Sequence, residues 1–131
     1  MSEQTMRVVL ALIAAYHVVT GALALLAPDT FFEQIGKYGV ENSHYVGDVG
    51  AFTIAYGCGL ALAITRPRWR GPILWLGALW YGFHALNHAF DTGEARSEAR
   101  GWSDTILLAL GAVLSGWLAR VAERMERGAA R

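Results

Sequence analysis

The sequence predicts an all-α protein: a four-transmembrane-helix antiparallel bundle with a short interfacial helix between its first and second crossings. Three observations point there. Of 131 residues, 54% are hydrophobic and only 17% charged, less charge than a soluble domain carries. Four apolar stretches fill most of the chain, each near the length of a bilayer crossing. The breaks between them hold two of the three prolines and most of the charges. Residues 1–131 leave no room for a soluble domain beside such helices, so a single integral membrane domain is expected.

The first crossing is placed at 7–27. It ends at Pro28-Asp29, where the fixed φ and missing N–H of proline mark a boundary. Its flank, Met1 to Met6, is hardly basic and its apolar stretch is longer than a signal core, so it reads as a retained crossing. The second crossing, 49–65, stops at the run Arg66-Pro67-Arg68-Trp69-Arg70, whose guanidiniums belong outside hydrocarbon. The third, 72–90, starts directly afterwards, so the tight link predicts that it lies against the second as an antiparallel neighbour. The fourth is 105–121, with Ser103 as its candidate cap. At a rise of 1.5 Å per residue these stretches cover roughly 26–31 Å, which matches a hydrocarbon core.

Basic residues set the expected orientation, because Lys and Arg near helix ends stay on the cytoplasmic side. Arg7, Arg66, Arg68, Arg70, Arg120, Arg124, Arg127 and Arg131 fall on one side, and Lys37, Arg96 and Arg100 on the other. A multi-pass protein of the cell membrane with both termini cytoplasmic is expected. Outside, Phe31, Phe32 and Ile35 recur at helical spacing and suit a short helix in the headgroup layer. The second outer segment, Asp91 to Trp102, carries both signs of charge without apolar anchors and reads as a solvated loop.

The polar residues inside these stretches are the functional clue. Counting 100° per residue from His84, the residues Gly77, Trp80, Tyr81, Asn87, His88 and Asp91 fall within about 60° of it. Histidines at i and i+4 can share one metal ion, and an aspartate three residues on can ligate or orient them. The second and fourth crossings also begin at the outer face, so Asp48, His44 and Asp104 are expected in the same layer. The expected metal set is therefore His84, His88, Asp91, Asp48, His44 and Asp104. Nitrogen and oxygen donors without thiolate suit a divalent transition metal, Zn, Fe or Mn. The plain alternative is that the same groups bond across helices, and that Asp48 and Asp104 merely favour helix N-termini. His17 lies about ten residues below Pro28, roughly 15 Å inside the membrane. It is expected to bond Tyr56 or Tyr81; a haem held between His17 and His84 is the less favoured alternative. Tyr56, Tyr81 and Trp80 either line a pocket for an apolar ligand or fill the core.

Composition excludes other classes. Eleven basic residues balance eleven acidic ones, so nothing suggests a nucleic-acid partner. Cys58 is the only cysteine, which rules out an intramolecular disulfide or a Cys-x-x-Cys redox pair. The expected partners are the lipid bilayer and a membrane-protein partner or second copy.

The stretch Asn42-Ser43-His44-Tyr45-Val46-Gly47-Asp48-Val49-Gly50-Ala51-Phe52, with Phe83-His84 and His88 later, resembles small bacterial four-helix integral membrane proteins of the DoxX-like kind. The likeness runs from the first helix through the third. It implies the same fold and a shared outer site, and it brings no activity with it. Three functions stay open: an outward-facing His/Asp cluster binding a metal ion or small polar ligand, an accessory or scaffolding subunit of a larger membrane complex, and an intramembrane enzyme acting on a lipid or isoprenoid.

Overall fold

A computed structural model of the chain, described over residues 1–129, is all-helical. Four long helices, α1 (Glu3–Leu26), α3 (Ser43–Thr65), α4 (Arg70–Phe90) and α5 (Glu98–Ala129), pack about one core, with a short α2 (Pro28–Gln34) after α1. Helices α1, α3 and α5 are long and apolar enough to cross a membrane. α4 has 21 residues, but His84, Asn87 and His88 near its end leave it without a bilayer-length stretch as apolar as those of the other three.

Every long helix starts earlier than its apolar stretch, and polar side chains cap the extended starts of α1, α3 and α5. Asn42 caps α3, its side-chain oxygen accepting from Tyr45 N–H at 3.3 Å. α5 begins seven residues before the expected 105. Ser103 is therefore not its cap but lies inside the helix and donates to the Arg100 carbonyl at 2.8 Å. Ser97 takes the capping role, accepting from Arg100 N–H at 3.2 Å. Much of the segment expected as a solvated loop, from Glu98 onward, is thus helical.

The close pairs are α1 with α3 and α4 with α5; α3 and α4 touch far less, which corrects the expectation drawn from their tight link. The reason is residue size. A Cβ at Gly50 would lie 2.7 Å from Leu25 N and 2.8 Å from Gly21 O, so α1 and α3 meet backbone to backbone. Between α3 and α4 stand large side chains instead. Tyr56 presses its hydroxyl on Gly77, where a Cβ would come within 1.9 Å.

The interior divides along the bundle axis. Toward the end carrying both termini, Met6, Leu10, Leu60, Ala63, Leu74, Leu118 and Ala122 form an apolar core. Toward the other end the buried or half-buried groups become polar and aromatic: His17, Thr53, Tyr56, Trp80, Tyr81, His84 and His88. The outer surface is apolar along the long helices, with Leu12, Val19, Leu79 and Val113 exposed, as a lipid-facing surface requires.

A side chain that sequence placed in solvent locks the termini end. Arg70 is 2% exposed. Its guanidinium donates to the Ala63 carbonyl at 3.1 Å, the Ile64 carbonyl at 3.1 Å and both Glu3 carboxylate oxygens at 2.7 and 2.8 Å. It thereby satisfies carbonyls of the last turns of α3 and ties the start of α1 to the start of α4.

Candidate functional site

At the opposite end, two connecting segments are clasped. Gly39, at φ 55°, donates its N–H to the Glu94 carbonyl at 3.1 Å, and Tyr38 and Ala95 form an isolated antiparallel bridge. Glycine suits that left-handed backbone position. The Arg96 guanidinium donates to the Glu33 carbonyl. This clasp carries Tyr38 over the end of α4, with its ring edge-on to His88 at 4.3 Å between centroids. The Tyr38 hydroxyl donates to Asp104 Oδ2 at 3.2 Å, and Arg100 Nε donates to the same oxygen at 2.8 Å. Burial first, and then the Asp104 charge, push the Tyr38 phenol up to about 12, so it remains a donor at neutral pH.

Beneath Tyr38, His88 Nε2 and His84 Nε2 lie 3.0 Å apart. The i, i+4 spacing on one helix produces that meeting. With both rings neutral, one Nε2 donates and the other accepts. One ring then keeps a free Nδ1–H and the other a free Nδ1 lone pair. Both Nδ1 atoms are buried without a hydrogen-bond partner, and such an orphan costs about 1–3 kcal/mol.

Trp80 continues the row inward, its ring stacked on His84 at 6.1 Å and tilted to His17 at 5.9 Å. His17 Nε2 hydrogen-bonds Tyr81 Oη at 2.7 Å and its Nδ1 bonds the Ile13 carbonyl oxygen at 2.7 Å. Of the two expected phenols, Tyr81 is therefore the partner. Tyr56 offers its ring edge-on to His17 at 4.8 Å, and its hydroxyl is buried without a hydrogen-bond partner. Both nitrogens of His17 are hydrogen-bonded, and Trp80 lies beside both the His17 and the His84 imidazoles.

The six expected metal ligands do not form one chamber. His84, His88 and Asp104 gather at the clasp, with Asp104 15% exposed and bound to Arg100. His44 and Asp48 pair with each other at 3.6 Å on the outside of α3, 79% and 67% exposed. Asp91 caps the end of α4 and is exposed. Among the described residues no three His, Cys, Asp or Glu side chains are grouped to hold a metal ion. Sequence reasoning missed Tyr38 and Arg100, and no spacing signal marked Tyr38, since a loop residue is aimed by the clasp. Clefts open at the termini end and beside Lys37 and Arg96, and neither is lined by His84. Comparison with protein-family models, with characterised proteins and with solved structures gives no match.

Proposed function

We propose that this chain is a four-crossing protein of the cell membrane, with both termini cytoplasmic and α2 in the outer headgroup layer, that binds a small polar ligand at His84 and His88 beneath Tyr38. A divalent transition metal is the ligand class that these two nitrogen donors suit. The observation that carries the reading is the 3.0 Å approach of the two Nε2 atoms. Two lone pairs face each other at that distance only with a proton or another cation between them. Asp104, bound by Tyr38 and Arg100, supplies a third donor only if the clasp lets it go, so water or the ligand itself completes the shell. Elemental analysis of detergent-purified protein beside H84A/H88A tests the proposal. Metal in the wild type and none in the variant supports it, and equal near-zero content in both overturns it.

Four crossings place the termini on one side, whereas three place them on opposite sides. Reporter fusions at the two ends, read for cytoplasmic or external activity, decide whether α4 crosses. The basic excess at the termini end supports the first arrangement.

A second reading, an accessory subunit or homo-oligomer, draws on the polar groups already committed between helices. His17 with Tyr81, Arg70 with Glu3 and Trp75 with Glu123 lock the bundle without a ligand. Crosslinking in native membranes tests it, and a strictly solitary chain contradicts it.

A further inference from the structure

The termini end holds a second feature, unconnected to the histidines. A cleft of about 940 Å³ opens between the Pro67–Trp69 turn and the last turns of α5. Its lining combines Arg66 and Arg68 with the apolar residues Pro67, Trp69, Ala122 and Met125. Arg66 and Arg68 are exposed and form no ion pair among the described residues. Glu3, the acid at the back of the cleft, is already held by Arg70 and Arg7, which leaves Glu126 on the rim as its other carboxylate. Cation and apolar surface thus meet in one concavity at the level where α3 ends and α4 begins. α5 runs on past that level: its 32 residues extend about 48 Å, well beyond a hydrocarbon core of about 30 Å.

We propose that this cleft binds the headgroup of an anionic phospholipid, the phosphate lying on Arg66 and Arg68 and the upper acyl chain against Pro67, Trp69 and Met125. A guanidinium pair matches phosphate oxygens in fork geometry, and tryptophan prefers the headgroup level. An acidic peptide offers the charge but not the chain that the apolar wall accommodates. The inference rests on the membrane reading and is independent of the histidine site.

The test is thermal unfolding of the full chain in detergent, titrated with phosphatidylglycerol, phosphatidylcholine or inorganic phosphate. Phosphatidylglycerol raises the melting temperature and the other two do not. R66Q/R68Q weakens the apparent phosphatidylglycerol affinity roughly 25-fold, about fivefold for each arginine. R124Q/R127Q removes equal charge from α5 outside the cleft and weakens it far less. Equal stabilisation by phosphatidylglycerol and phosphatidylcholine overturns the proposal without any variant. So does an equal loss in both arginine pairs, which indicates diffuse attraction, or a full effect from inorganic phosphate. Flotation with phosphatidylcholine vesicles and with phosphatidylglycerol-containing vesicles separates the two levels: a chain left in the aqueous fraction with both contradicts the membrane reading, and one that floats equally with both and shows no phosphatidylglycerol preference in the melting titration contradicts the cleft alone.

Discussion

Tyr38 sits edge-on to His88 at 4.3 Å while its hydroxyl holds Asp104, so a residue from the segment between α2 and α3 closes the polar end of α4 against α5. Removing the hydroxyl alone keeps the cover and loses one charge-assisted bond. Y38F is expected to cost about 1.5 kcal/mol in thermal or denaturant unfolding. Y38A also uncovers His88, and is expected to raise the access of imidazole-directed reagents to His84 and His88 where Y38F does not.

The same phenol gives the site a pH limit. Its pKa in the folded chain stands at about 12, above the ordinary value of about 10. A raised value favours the protonated form in the fold, so the contribution is complete below about pH 10 and is lost as pH rises through about 12. Ultraviolet titration of wild type against Y38F should show one tyrosine ionising late. A difference spectrum that titrates near pH 10 contradicts the half-buried donor.

Helix contacts make a graded glycine series. G50A sets a methyl group against the α1 backbone, which cannot step aside, and is expected to cost about 3 kcal/mol. G77A meets the Tyr56 hydroxyl, a side chain with some freedom, and is expected to cost about 1–3 kcal/mol. At Gly82 the nearest atom is Ala112 Cβ at 4.0 Å, so G82A is expected to be neutral or to stabilise by up to about 1 kcal/mol through helix propensity. Melting temperatures of the three variants check the order.

Arg70 and Glu3 are unequal partners. E3A leaves a buried guanidinium without its carboxylate, whereas R70M leaves a carboxylate that is already 49% exposed and two helix-end carbonyls. E3A is expected to cost about 2–3 kcal/mol, and adding R70M to it should recover part of that loss. A double-mutant cycle on unfolding free energy measures the coupling.

Much of the helical content was legible in sequence because bilayer-length apolar runs have few alternatives. The His84 and His88 contact was legible too, since i, i+4 spacing brings two rings together on any helix. His44 and Asp48 were assigned to the wrong face. Asp48 lies about 160° from Gly50 around α3, and Gly50 and Gly57 are the positions that approach α1, so the small-residue face already turned both groups outward. Arg70 was unreadable as a buried lock because its acceptors are main-chain carbonyls of α3 and a carboxylate 67 residues away. Tyr38 escaped for a related reason: its aim comes from the bridge to Ala95, a contact between two loops that no periodicity encodes.

In the proposed site His84 and His88 together receive one cation from the outer face. Nitrogen NMR of imidazole-labelled protein during zinc titration tests it most directly, with exposed His44 and buried His17 as internal comparators. The Nε2 signals of His84 and His88 are expected to shift in concert and saturate at one ion per chain, while His17 stays fixed. Signals of the pair that remain unmoved, or a shift confined to His44, contradict it.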